Sequence, residues 1–165
     1  MALCVVLPLA FHAVPNAGSI YLPMHIPVLL CGLICGWAYG LACGVVGPLL
    51  SSLLTGMPPA AVLPPMVIEL AVYGIVAGIG MALIRSKKIT ADLYISLIIA
   101  MLLGRIVAGI SRALIFAAGS TTMATWATSY FVTSLPGIII QLILIPAIVI
   151  ALERARLIPV RYGAE

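Results

Sequence analysis

From Pro65 to Ile84 the chain carries a single charged side chain, Glu69, and from Ser129 to Leu152 it carries none. Apolar runs of this length match the hydrocarbon thickness of a bilayer, which takes about 20 residues of helix. In lipid each backbone N–H and C=O must be satisfied within its own segment, so such runs become helices. With 64% hydrophobic and 7% charged residues, and a mean hydropathy of +1.31, the chain cannot cover a soluble domain of 165 residues with polar surface. The reading is an all-α integral membrane protein. A soluble catalytic domain has no room, because the longest polar stretches are 85–92 and 153–165. The net charge of +4 is explained by membrane topology and does not call for nucleic acid.

Turn-forming residues divide the text into six segments: about 2–14, 20–35, 38–54, 65–84, 91–118 and 129–152. The expectation is one transmembrane domain over 1–165, with six helices in one bundle. Pro15-Asn16-Ala17-Gly18 closes the first segment, and the proline-rich stretch 57–65 precedes the fourth. The second and third would together be too long for one span, so the break is placed at 36–40, Gly-Trp-Ala-Tyr-Gly. The first segment is short for a span and lacks the basic start of a signal peptide, so a truncated N-terminus is expected. Arg85, Lys87 and Lys88 lie two spans away from Arg154, Arg156 and Arg161. By the positive-inside rule both clusters are cytoplasmic, with stretches 57–65 and 119–128 external, in a multi-pass protein of the cell membrane.

Three full charges interrupt the apolar runs: Glu69, Arg105 and Arg112. Each costs roughly 2.5–3.5 kcal/mol on insertion scales, so each is a candidate for function. Arg105 lies about 21 Å along the helix from Ala91, and Arg112, seven residues on, shares its face about 10 Å nearer the outside. Glu69 is about 6 Å past Pro65, with Tyr73 one turn later. Ser134, Gly137 and Gln141 form an i, i+3, i+7 line. His12 and His25 sit near external ends, Asn16 in a covering turn, and Trp126 and Tyr130 at the rim. Polar groups thus converge on the external half. Structural alternatives stand beside this: an ion pair for Glu69 and one arginine, packing histidines, and an interfacial aromatic belt. Two arginines against one glutamate leave a surplus positive charge, which a carboxylate ligand would complete.

Cys4, Cys31, Cys35 and Cys43 lie in apolar runs without CxxC or histidine spacing, and read as buried thiols with no metal site. Gly32, Gly36, Gly40 and Gly44, echoed by Gly74 and Gly78, put small residues one turn apart, which lets helices approach closely in lipid.

Three strings carry a resemblance: Tyr21-Leu22-Pro23-Met24-His25-Ile26-Pro27-Val28-Leu29-Leu30, the run 47–59 (GPLLSSLLTGMPP), and Glu69-Leu70-Ala71-Val72-Tyr73-Gly74. Over nearly its whole length the chain resembles the substrate-binding S component of an energy-coupling factor (ECF) vitamin transporter. The resemblance implies six membrane helices that bind a vitamin or precursor near the external face. It implies a transmembrane coupling subunit and two cytoplasmic ATPases as partners, and toppling in the membrane to release cargo. ATP would be hydrolysed by the partners, with no cofactor in this chain; no phosphate-binding glycine loop is present. Family members dock through small residues spaced by four in the first helix, positions held here by Ala2, Val6 and Ala10, a partly kept pattern.

The expected function is capture of a vitamin at the external face for ATP-driven uptake. The cargo is expected to be anionic, such as pantothenate, niacin or a folate, with a pantothenate-like acid favoured. A neutral ligand fits if Glu69 and one arginine simply pair. The other readings are a structural or assembly membrane protein and an intramembrane enzyme using Glu69 and His25.

Overall fold

A computed structural model describes residues 1–10, 17–116 and 122–159. The elements in order are α1 (Ala2–Ala10), α2 (Ala17–Tyr21), α3 (His25–Cys35), α4 (Trp37–Thr55), α5 (Leu63–Leu83) and α6 (Ile89–Ser111). Helix α6 runs on through a π-helical turn, Arg112–Phe116. After it come α7 (Met123–Ala127), a second π-helical turn (Thr128–Thr133) and α8 (Leu135–Arg154). The described residues are helical or in turns, with no strand among them.

Four helices are long and apolar enough to cross a membrane: α4, α5, α6 with its continuation to Ile115, and α8. The expected six spans therefore reduce to four among the described residues. Helix α1 has nine residues and α3 has 11, which gives α3 a length of about 16 Å. The expected segment 20–35 is cut at 22–24. There Leu22 takes a left-handed φ of 52°, and Pro23 has no N–H to continue a helix. The expected segment 91–118 stops being α-helical at Ser111, and its last two residues lie outside the described residues, as do 11–14 of the first. The expected start of the last segment at 129 falls in the second π-helical turn.

Glycine sets the packing at the centre. Gly36, with φ 92°, is the sole residue between α3 and α4, and lets the chain reverse without a Cβ clash. The two helices then lie side by side, with Gly32 facing Gly40. Helix α5 fits into this hairpin: Gly74 lies on the Gly40 backbone, Gly78 on Gly36 and Trp37, and Leu70 on Gly44. A Cβ at Gly40, Gly74 or Gly78 would overlap backbone atoms of the facing helix, so α4 and α5 meet main chain to main chain. Helix α1 rests on α4 through Cys4, which touches Gly47 and lies 3.7 Å, sulfur to sulfur, from Cys43; both thiols are free.

Helix α6 returns antiparallel to α5, with Ser96 beside Gly80 and Gly104 beside Tyr73. Their connection carries Arg85, Lys87 and Lys88. It is pinned by Asp92 Oδ1, which accepts from Ser86 N at 2.8 Å and Ser86 Oγ at 2.6 Å. Asp92 is also in the first turn of α6, where a carboxylate opposes the helix dipole. Helix α8 runs opposite to α6, Ser134 at Arg105 and Leu142 beside Ile98. Arg154 therefore comes to the same end as the 85–88 cluster, called the basic end below. Leu53, Leu83 and Leu114 are exposed on the outside of the bundle, as lipid contact requires.

Candidate functional site

Away from the basic end, four helices aim polar side chains at one another. Glu69 and Tyr73 are one turn apart on the inner face of α5, so the phenol lies over the carboxylate. Tyr73 Oη donates to Glu69 Oε1 at 3.0 Å and accepts from Arg105 Nε at 3.0 Å. Arg105 Nη1 donates to Ser134 Oγ at 2.7 Å, and Ser134 Oγ donates to the Tyr130 carbonyl at 2.6 Å. The chain Glu69–Tyr73–Arg105–Ser134 thus links α5, α6 and the start of α8. Gly104 makes room for it, because a Cβ there would overlap the Tyr73 ring. Glu69 and Arg105 interact through the phenol rather than as a direct ion pair.

His25 opens α3 and enters from the other side. Its ring meets that of Tyr73 edge-on at 5.3 Å, and Nε2 lies 3.6 Å from Glu69 Oε1, beyond hydrogen-bond range. Because α3 is short, its N-terminus starts at this depth, level with Glu69. From α8, Gln141 Nε2 donates to the Leu22 carbonyl at 3.5 Å, and Gly137 lies against the backbone of Ile20 and Tyr21. The break at Leu22 therefore supplies an acceptor to α8. Arg105, His25 and Gln141 are all 2% exposed or less. Yet His25 Nδ1 and Nε2, Arg105 Nη2 and Gln141 Oε1 have no hydrogen-bond partner. Buried polar atoms in a finished core are nearly all paired, so a cluster of unpaired ones marks where something polar belongs.

An aromatic cap closes the outer side. Trp126 Nε1 donates to the Arg105 carbonyl at 3.3 Å, and the indole lies on Gly109. Phe131 packs edge-on to Trp126 at 5.4 Å and lies 5.6 Å beneath the Arg105 guanidinium. A threonine capping box, Thr122 with Thr125, starts α7 and fixes this cap. Phe131 was not singled out in the sequence, because its place follows from the π-helical turn, which has no periodic signature.

The structure brings together His25, Glu69, Tyr73, Arg105, Ser134, Gln141 and Trp126. Arg112 is placed differently from expectation. It is exposed, and interacts with the half-buried Tyr130. The charges buried at the site, Glu69 and Arg105, therefore balance one to one, and the surplus positive charge stands outside. His12 and Asn16 lie outside the described residues. Ala2, Val6 and Ala10 are exposed along α1. Among the described residues no group of three or more His, Cys, Asp or Glu side chains is placed to hold a metal ion.

Residues 1–149 match the family model of the ECF transporter, substrate-specific component. The chain belongs to that family. No curated protein and no solved structure matches it. The family is a transporter substrate-binding component rather than an enzyme. ECF S components pair with a transmembrane T component and with ATPase subunits. With four apolar helices long enough to span, the chain is the membrane-embedded, substrate-binding subunit of an ECF transporter.

Proposed function

We propose that this S component captures a small carboxylate at the external side of the cell membrane, with the loop 85–90 and the C-terminus in the cytoplasm. A pantothenate-like acid is the favoured cargo. The observation that carries the reading is Arg105: a fully enclosed guanidinium with two nitrogens held by Tyr73 and Ser134, and Nη2 unpaired. Held on two sides, it is oriented in advance, and a carboxylate is the acceptor it matches best. Arg112 at the rim supports an electrostatic route in. His25 and Gln141 offer further unpaired atoms for the polar parts of the ligand, and Trp126 and Tyr130 cover the site. Ala2, Val6 and Ala10, on the open side of α1, are the proposed contact with the coupling subunit, whose ATPases supply the energy.

The test is mass spectrometry of the ligand retained through purification. An anion should be carried by the wild type and lost from Arg105→Ala, with Arg112→Ala retaining less. Retention of the same ligand by Arg105→Ala, in protein that still inserts and folds, rules the reading out.

A further inference from the structure

The chain has four cysteines, and the fold brings two of them into contact. Cys4 is the buried residue of α1, and its sulfur lies 3.7 Å from that of Cys43 on α4, both as free thiols. Gly47, one turn past Cys43, makes the seat: a Cβ there would lie 2.9 Å from the Cys4 sulfur. Cys4 therefore enters a notch in α4 with Cys43 beside it. Cys31 and Cys35 form no such pair. They are one turn apart on α3, where Cβ atoms are about 5–6 Å apart, whereas a disulfide spans about 3.5–4.5 Å.

We propose that Cys4 and Cys43 are a redox clasp: a two-electron oxidation joins them in a disulfide that pins α1 to α4, and thiol reductants release it.

Two further observations carry this. First, both helices can give where the bond must form. The sulfurs have to close from 3.7 Å to about 2.05 Å. Pro8 has no N–H, so the Cys4 carbonyl lacks its helical donor, and Pro48 does the same to Gly44, next to Cys43. A helix missing a rung of its ladder bends there. Second, the bond would leave the working surfaces clear. Ala2, Val6 and Ala10 are exposed on α1 while Cys4 faces inward, and the polar cluster lies on α3, α5, α6 and α8. The clasp would thus set how firmly α1 is seated without covering its outer face.

The two thiols are 0% and 2% exposed within the hydrophobic core, so an ionic oxidant is shut out. The class that fits is a small uncharged oxidant such as hypochlorous acid. Its chlorine passes to one sulfur, and its hydroxyl leaves with that thiol's proton as water. The second sulfur then attacks the first: the S–S bond forms, the S–Cl bond breaks, and chloride departs with the second thiol proton. The two sulfurs together lose two electrons, and the chlorine gains them.

The purified full chain in detergent is reduced, freed of reductant and titrated with hypochlorous acid. Peptide mapping without reduction should find Cys4 linked to Cys43. The bond closes a long loop, so the oxidised chain should melt about 4 °C or more above the reduced one. A thiol reductant should reverse the shift, which it would not do for oxidised methionine. Cys4→Ala and Cys43→Ala should each abolish the linked peptide and the reversible shift. The inference is overturned if the exposed Cys35 is oxidised while Cys4 and Cys43 stay unlinked. It is equally overturned if the linked chain melts no higher than the reduced one, or if the disulfides formed join separate chains instead.

Discussion

The bundle contains two interiors that obey opposite rules. Toward the basic end, α3, α4 and α5 meet through Gly32, Gly36, Gly40, Gly74 and Gly78, with backbone against backbone. Lipid tails are as apolar as the side chains, so no hydrophobic gain drives this contact; close van der Waals approach does. In the half away from the basic end the helices meet through large polar side chains, among them His25, Tyr73, Arg105 and Gln141, and several of their atoms are unpaired. Toward the basic end one buried hydroxyl, Ser96 Oγ beside Gly80, is unpaired, whereas His25, Arg105 and Gln141 leave four such atoms in the other half. Helix α5 belongs to both. Its inner face carries Glu69 and Tyr73 on one stretch and Gly74 and Gly78 on the next, so the seam fixes the height at which the phenol meets Arg105.

That contrast can be broken most directly at Gly74. A leucine there cannot be absorbed by rotating a side chain, because the obstacle is the Gly40 main chain. Gly74→Leu should cost about 3 kcal/mol or more and sharply reduce the folded protein recovered from membranes, as read by yield and thermal melting. The outer interior should respond differently. Tyr73→Phe keeps the packing but removes the hydroxyl that serves both Glu69 and Arg105. It should cost about 2–3 kcal/mol in the unliganded protein, and bound ligand should restore part of it, which is checked by melting with and without cargo. A restoration equal to that of wild type would mean that the phenol does not position Arg105. Ser134→Ala removes one neutral partner of the same guanidinium and should cost about 1 kcal/mol. Arg112→Ala is the smallest change: melting unaltered, cargo affinity reduced by a few-fold at most, and that reduction vanishing in high salt, since an exposed charge is screened.

The parts of this arrangement that were legible in the sequence are those fixed by helical periodicity. Glu69 and Tyr73 one turn apart, and Ser134, Gly137 and Gln141 on one line, must share a face in any continuous helix. The reversal at Gly36 was likewise foreshadowed by a run too long for one span. What could not be read depends on where neighbouring helices stop. Arg112 lies seven residues past Arg105, yet is exposed, at the start of the π-helical turn where the regular α-helix has ended. The shortness of α3 has the same origin. The left-handed turn at Leu22, followed by Pro23, shortens α3 and places His25 beside Glu69. Phe131 reaches Arg105 through a π-helical turn, in which the 3.6-residue count fails. The charge balance followed the same pattern: three ionisable residues were visible, but depth decided that only two are enclosed.

The tie between Gln141 and Leu22 joins the two ends of the chain. At 3.5 Å, it is at the long limit of a hydrogen bond and carries little free energy, about 1 kcal/mol at most. It is also a bond from α8 to the short linker that joins α2 to α3, so it acts as a latch between the last helix and the first third of the chain. Gly137, one turn away on α8, packs on the backbone of Ile20 and Tyr21, so α2 is seated on the last helix by close backbone contact as well as by this bond.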